Sequence, residues 1–363
     1  MELGKFGFCI HPIDEKDFER KIKALRYVPP QLVDSITKRI PPLKVSHIRG
    51  IQSQYSSAEG WFVGVPLSTR QMMTLPEEFV IRKIIQAGKL AEKLGAKILG
   101  LGAFTSVVGD GGITIRNNLG IPVTTGNSYT VAAAVEAVKE AAGLMNKELG
   151  LCRATVIGAT GSIGRICAML LAPSVAHMTL TAPNIEKLEK VAEEIISVEK
   201  GAVDIEPNIP KALSNADIVI TVSSAMEAII QPDYLKSGAI VCDVARPRDV
   251  SKEVAEKRSD VLVIEGGVIE VPGDIDFGFN FGFPPGLSYA CMAETMVLAL
   301  EKRYEDFSIG KTLSIEKIEL IAQLGEKHGF KLAGMRSFEK VISNEYIEKI
   351  KENIKKAATM ENH

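Results

Sequence analysis

Residues 154–164 read Ala-Thr-Val-Ile-Gly-Ala-Thr-Gly-Ser-Ile-Gly, and this stretch constrains the fold more than any other. A short run rich in β-branched residues stops at a glycine loop and passes straight into an apolar helical pattern over Ile163–Leu171. A glycine pattern in that strand-to-helix context is the signature of a dinucleotide-binding unit. Gly158 permits the sharp turn, Gly161 lets the backbone approach a pyrophosphate, and Gly164 allows the helix to pack closely, while the helix N-terminus favours the negative charge. Thr160, Ser162 and Ile163 complete the expected cofactor loop. The spacing is GxxGxxG rather than GxGxxG.

Further short β-branched runs follow at Met178–Thr181, Ile218–Val222, Ala239–Asp243 and Val261–Glu265, separated by helical segments. That alternation predicts a doubly wound parallel sheet. Its strand ends supply further cofactor contacts: Thr181 and Asn184 with Lys187 at the second strand, Val222 and Ser223 at the third, Asp243 at the fourth, and Gly266 and Gly267 after the last. The second strand ends Thr181-Ala-Pro-Asn184 with no acidic residue to hold a ribose 2′-hydroxyl, which favours NADP(H) over NAD(H).

Before the glycine loop, Pro29-Pro30 and Pro41-Pro42 punctuate the chain, and Trp61–Val65 and Lys97–Leu101 read as strands. A helix is expected over Pro76–Leu94, with Phe79, Ile81, Ile84, Ile85 and Leu90 toward one face. Thr124-Thr-Gly-Asn127 leads into a long alanine-rich helix ending near Gly150, capped by Thr125 or Asn127. The whole is an α/β protein in three parts. Residues 1–124 form an N-terminal α/β substrate domain and 125–287 a Rossmann-type domain. Residues 288–363 form a helical segment packing between them, whose charged end at Phe338–Ala358 returns to the first domain or makes an oligomer contact.

With 43 basic and 45 acidic side chains mixed along 363 residues, no global field favours nucleic acid. No apolar run approaches the roughly 18 residues of a membrane span, and the N-terminus lacks signal-peptide character. Five cysteines, at 9, 152, 167, 242 and 291, show no metal-binding spacing and read as reduced thiols of a cytoplasmic protein. Between Ser35 and Ala58 the chain carries Lys38, Arg39, Lys44 and Arg49 and no acidic residue, either a basic solvated surface or a dock for an acidic partner.

Cys291 lies in Phe283-Pro-Pro-Gly-Leu-Ser-Tyr-Ala-Cys-Met-Ala-Glu294. Pro284, Pro285 and Gly286 break the preceding chain, and a helix is expected over Ala290–Arg303 with Ser288 as its N-cap. A cysteine in a first turn stands near unpaired N–H groups and the positive end of the dipole, which favour thiolate. Two readings stand on position alone, a nucleophile or a small buried core residue.

The glycine loop, Thr124-Thr-Gly-Asn127, Glu265-Gly-Gly267, Asp274-Ile-Asp276 and Tyr289-Ala-Cys-Met-Ala-Glu294, with Gly100-Leu-Gly-Ala-Phe-Thr-Ser106 and Lys327-His-Gly-Phe330, together resemble the long-chain acyl-[acyl-carrier-protein] reductases known from cyanobacteria, over about residues 77–330. The resemblance implies an enzyme of lipid metabolism that reduces fatty acyl thioesters of acyl carrier protein or coenzyme A to fatty aldehydes with NADPH, through an acyl group on Cys291. An aldehyde-consuming enzyme is then a further expected partner. Ser288, Thr125 and Asn127 are candidate oxyanion or substrate contacts. The chain departs from that family in its first 75 residues, in Pro183-Asn184 where the family often shows Arg-Asn, and in a longer tail after Phe330.

Three other readings stay open. A shikimate- or quinate-type dehydrogenase also places a small α/β domain before a Rossmann domain and needs no cysteine. Glutamyl-tRNA reductase also forms an acyl-cysteine, but in its first domain, where this chain offers Cys9. A non-catalytic NADP-binding regulator would leave the cysteine motif without a role.

Overall fold

A computed structural model of the chain describes residues 3–12, 36–198, 202–280, 283–338 and 340–360. The expected break at Pro29-Pro30, and Ser35 at the head of the basic stretch, lie outside the described residues. The chain divides into two units, residues 1–129 with 269–331 and residues 130–268 with 332–363.

The first unit holds a six-stranded mixed sheet made of β1 (Gly4–Ile10), β2 (Leu43–Gln52), β3 (Ser57–Gly64), β4 (Leu99–Leu101), β5 (Val123–Thr124) and a late strand, Gly273–Asp276. The order is Gly273–Asp276, β2, β3, β1, β4, β5. β3, β1, β4 and β5 run parallel, while β2 pairs antiparallel with both β3 and Gly273–Asp276. Successive residues of a strand face opposite sides, and β1 is packed on both. A Cβ at Gly7 would meet the Ala91 side chain, whereas one at Gly4 would meet the Ala299 carbonyl. Helices Glu77–Lys93 and Ala290–Leu300 therefore cover the two faces.

Helix Glu77–Lys93 forms where the sequence predicts, within a residue at each end, with Pro76 as N-cap. Val80, Ile84, Ala87 and Ala91 recur at helical spacing and are buried in one cluster with Val63, Leu99 and Leu101. Glu77 and Glu78 in its first turn and Lys93 in its last complement the helix dipole. Helix Ala290–Leu300 is shorter than expected, and every residue in it except Cys291 is buried.

The second unit holds β6 (Arg153–Ile157), β7 (His177–Thr181), β8 (Ala202–Ile205), β9 (Ile218–Thr221), β10 (Ile240–Asp243) and β11 (Leu262–Glu265). They pair in the order β11, β10, β9, β6, β7, β8, all parallel. Counted within this sheet the order is 3-2-1-4-5-6, the doubly wound dinucleotide-binding arrangement, with its switch point between β6 and β9. Five of these strands match the predicted runs to within a residue at each end. The sixth, β8, is absent from the sequence reading because it lies at the sheet edge and buries neither face fully.

The unit boundaries differ from the expected 1–124, 125–287 and 288–363. Strand Gly273–Asp276 adds to the first sheet and helix Ala290–Leu300 packs on β1, so the chain returns to the first unit after leaving the second. The last segment is consequently split, with 288–331 in the first unit and 332–363 in the second. The chain is not helical throughout this region, because short strands at Lys331–Leu332, Arg336–Ser337 and Lys340–Val341 separate the helices Ile315–His328 and Asn344–Met360. The final helix packs within the second unit. Ile354 lies against Gly238, the Asn353 carboxamide donates to the Ser259 carbonyl at 3.0 Å, and Ile347 and Ile350 are buried.

The Phe6 ring is fully buried and occupies the space a side chain at Gly60 would need, 2.5 Å from that Cβ position. Phe6→Ala leaves a ring-sized void at the centre of the first sheet, with an expected loss of about 3–5 kcal/mol. Urea unfolding followed by the fluorescence of Trp61, the only tryptophan and a residue of this sheet, measures it. An unchanged midpoint would remove Phe6 from the packing centre.

Candidate active site

Cys291 is the second residue of helix Ala290–Leu300, so the expectation of a first-turn cysteine holds in the geometry. It is half-buried, whereas Cys9, Cys152, Cys167 and Cys242 are buried. Burial pushes the thiols of Cys9 and Cys167 up to about 12 and raises those of Cys152 and Cys242. Cys9, the alternative nucleophile in the first unit, is thereby held as an inert thiol inside β1.

The N-cap is Tyr289, not Ser288. Ser288 sits instead in a short strand, Leu287–Tyr289, fully buried, with its hydroxyl toward the Tyr289 carbonyl at 3.3 Å. Extended pairing takes Ser288 one residue too early to reach the first-turn N–H groups.

Against Cys291 lies the turn between β5 and helix Asn127–Leu144. Gly126 there has φ +75°, and a Cβ on it would fall 2.3 Å from the Cys291 Cα and 2.4 Å from its Cβ. Both the left-handed backbone and the absence of space require glycine. The structure thus packs Gly126 on Cys291, with Thr125 and Asn127 its chain neighbours. The Thr125 hydroxyl, however, donates to the Ser308 carbonyl, and Thr125 is buried. Asn127 is the first residue of its helix and half-buried.

Glu294, one turn beyond Cys291, is fully buried and ties this region together. Its carboxylate accepts from the Thr124 hydroxyl, from the Ser308 hydroxyl at 2.7 Å and from the Tyr129 N–H at 2.9 Å. The Ser308 hydroxyl oxygen also accepts the Ser128 N–H at 3.1 Å, so the first turn of helix Asn127–Leu144 is capped by side chains from 165 and 180 residues away. Desolvation raises the Glu294 pKa, while the Thr124, Tyr129 and Ser308 hydrogen bonds and the Lys317 charge oppose the rise. Neither Thr124, Ser308 nor the acid of the Tyr289–Glu294 motif emerges from the sequence as a site residue; the one signal is that an apolar helix carries a single acidic side chain.

In the second unit, Gly158 turns with φ +80° and a Cβ there would meet the Val222 carbonyl at 2.6 Å. A Cβ at Gly164 would meet the Gly158 carbonyl at 2.3 Å. Gly161 differs: it is exposed, and a Cβ on it would meet nothing nearer than the Gly158 carbonyl at 3.3 Å. The protein's own packing explains the first and third glycines but not the second, whose open flank suits the approach of a ligand backbone. Gly161 is also the N-cap of helix Ser162–Leu171 and supplies no side-chain cap, so this helix start is suited to an anion.

The remaining expected residues surround this loop at the carboxyl ends of the strands. Thr160 is half-buried within the loop, and Ser162 and Ile163 open the helix. The Thr181 hydroxyl, at the end of β7, is buried and has no hydrogen-bond partner among the described residues, while its carbonyl accepts the N–H groups of Gly158 and Ala159 at 2.9 and 3.2 Å. The Asn184 side-chain oxygen accepts the Lys187 N–H at 2.8 Å and caps helix Ile185–Val198. Val222 and Ser223 follow β9, with the Ser223 N–H and hydroxyl both held by Asp249. Asp243 ends β10 and is buried; desolvation raises its pKa to about 6. Gly266 and Gly267 are buried after β11, and Gly266 has no room for a Cβ beside the Cys242 sulfur. Among the described residues no group of three or more His, Cys, Asp or Glu is arranged to hold a metal, and no helix is long and apolar enough to cross a membrane.

A family profile described as Shikimate / quinate 5-dehydrogenase matches residues 139–265, the core of the second unit. The long-chain acyl-[acyl-carrier-protein] reductase of Synechococcus elongatus is 31% identical over 317 residues, covering 83% of this chain and 87% of that protein. The chain belongs to the long-chain acyl-[acyl-carrier-protein] reductase family. The aminotransferase PigE of Serratia sp. is 27% identical over 360 residues; the match takes in 96% of this chain but 42% of PigE, so the chain spans less than half that relative's length. Glutamyl-tRNA reductase of Methanococcus aeolicus is 28% identical over 148 residues, 40% of this chain and 36% of that protein. With the parallel sheet, these relatives mark an NAD(P)-dependent reductase or dehydrogenase type of fold.

The five thiols make a direct prediction. Native protein treated with iodoacetamide at about pH 8 gains one carbamidomethyl group, on Cys291, and the other four cysteines react only after unfolding. Peptide mass mapping decides it, and a native label on Cys9 or Cys167 instead would contradict the burial order.

Proposed function

We propose that this protein reduces a fatty acyl thioester, carried on acyl carrier protein or coenzyme A, to a fatty aldehyde by way of an acyl group on Cys291. The observation that carries this reading is the half-exposed thiol in the first turn of an otherwise buried helix, in a chain of the acyl-[acyl-carrier-protein] reductase family. A helix start favours the thiolate that thioester attack requires. The Cys291 sulfur attacks the acyl carbonyl carbon, the bond from that carbon to the carrier sulfur breaks, and the carrier leaves as a thiolate that takes up a proton. Two-electron reduction of the new thioester then releases the aldehyde and returns the Cys291 thiolate. Of the three candidate contacts for the developing oxyanion, Asn127 is the one we retain, since the Thr125 and Ser288 hydroxyls are directed at carbonyls.

NADPH bound at the glycine loop would supply the hydride. Gly158, Thr160, Gly161, Ser162, Ile163 and Gly164 would hold its pyrophosphate at the uncapped helix start, with Val222, Ser223, Gly266 and Gly267 at the neighbouring strand ends. Thr181, whose buried hydroxyl has no hydrogen-bond partner among the described residues, Asn184 and Lys187 would hold the 2′-phosphorylated ribose. For the carrier, exposed Arg39, Lys44 and Arg49 present positive charge to an acidic partner. The reactive product and the reduced thiols fit a cytoplasmic enzyme working beside one that consumes aldehydes.

A shikimate-type dehydrogenase is the second reading, favoured by the profile match over residues 139–265. Intact-protein mass after exposure to a long-chain fatty acyl-CoA and to acyl-acyl-carrier-protein, without NADPH, separates the two. Wild type is expected to gain one acyl group and Cys291→Ala none; absence of the adduct with every thioester, or its persistence in the variant, would refute the cysteine route. Alcohol oxidation retained by Cys291→Ala would favour the dehydrogenase. For the cofactor, Pro183→Arg places a guanidinium beside Thr181 and Asn184 and is expected to tighten NADPH roughly tenfold while leaving NADH unchanged. Equal affinities in variant and wild type, by fluorescence titration, would show that this position does not set cofactor choice.

A further inference from the structure

We infer that Glu294 is a positioning residue for the Cys291 thiol, locking the Thr124–Tyr129 turn and Ser308 onto the helix that carries the cysteine. The inference rests on the reading of Cys291 as the nucleophile. Cys291 and Glu294 are three residues apart on one helix and so share a face. The Glu294 carboxylate spans two neighbouring segments at once, through the Thr124 hydroxyl and Tyr129 N–H on one side and the Ser308 hydroxyl on the other. Those segments are cross-braced: the Thr124 hydroxyl oxygen accepts the N–H groups of Gly126 at 3.3 Å and Ser308 at 3.2 Å, and the Thr125 hydroxyl donates to the Ser308 carbonyl. The part of the turn so held, Gly126, is the part packed on the Cys291 Cα and Cβ.

A fully buried carboxyl is a poor way to add stability, since an apolar side chain of like volume is often as stabilising or more so. Helix Ala290–Leu300 is otherwise free of charged side chains, so an apolar residue at 294 would suit its packing. What only a carboxyl supplies there is acceptors for two hydroxyls and a backbone N–H together. Displacing reacting groups by about 1 Å is enough to slow a reaction by on the order of 10²-fold.

Glu294→Gln keeps one oxygen acceptor and sets an NH₂ against a donor, loosening the turn without emptying its space. Ser308→Ala leaves the carboxyl and removes one brace. In both, kcat with a long-chain fatty acyl-CoA and NADPH is expected to fall, by on the order of 10²-fold in Glu294→Gln and about tenfold in Ser308→Ala, with KM within about twofold. The second-order rate constant for iodoacetamide at Cys291 is expected to change by at least about threefold, while far-UV circular dichroism and NADPH affinity stay those of wild type. A folded Glu294→Gln protein with both kcat and alkylation rate within about twofold of wild type would overturn the inference and leave Glu294 a helix cap. If Glu294→Gln does not fold, Ser308→Ala decides by the same two numbers. If wild type takes up no acyl group, the nucleophile reading fails separately. The alkylation rate then decides alone: a change supports positioning by Glu294 and no change refutes it.

Discussion

Helix Ala290–Leu300 is buried on every side, and much of the first unit is arranged around that burial. A helix with no wet face must find every polar partner inside the protein. Thr295 turns its hydroxyl back to the Cys291 carbonyl at 3.3 Å, and Gly100 must lack a side chain because Thr295 and Phe8 occupy the space. Glu294 recruits Thr124, Ser308 and Tyr129, which fixes the turn between β5 and the next helix. The single opening in this enclosure is Cys291 at the helix start. Its exposure is the consequence of a helix that begins at the edge of the core and runs inward.

Two helix starts illustrate how differently one physical feature can be used. The first turn of helix Asn127–Leu144 is filled by acceptors from Ser308 and Glu294, so its N–H groups are spent on internal structure. Helix Ser162–Leu171 begins with an exposed glycine that supplies no side-chain cap to its positive end. Both starts look alike in sequence, a small-residue turn before an apolar run. What separates them is the acid at position 294, far along the chain.

This marks where the sequence was legible and where it was not. β6, β9, β10 and β11 are short and buried on both faces, and β7 alternates buried with half-buried residues in a β-branched run, so local pattern alone locates them. The glycine loop is legible for the same reason, since strand, turn and helix are adjacent in the chain. The unit boundaries were hidden because strand Gly273–Asp276 joins a sheet whose other members precede it by more than 140 residues. Ser288 looked like a cap because proline and glycine precede it, but strand pairing over Leu287–Tyr289 moved the cap to Tyr289. Long-range pairing of this kind leaves no periodic trace.

The two units also carry different kinds of information about chemistry. The profile match over residues 139–265 lies wholly within the second unit and describes a sheet that many nicotinamide-dependent proteins share, so it bears on the redox partner and not on the substrate. The thiol, the buried acid and the glycine that packs on the cysteine all belong to the first unit, outside that match. The Synechococcus relative, by contrast, extends across 83% of the chain and so includes residues of both units. A dehydrogenase acting on an alcohol has no use for a thiol held at a helix start beside a braced glycine turn, whereas a thioester reductase requires a nucleophile held in a fixed place. The feature that separates these chemistries therefore lies in the first unit, in the constraint that leaves Cys291 as the one accessible residue of a buried helix.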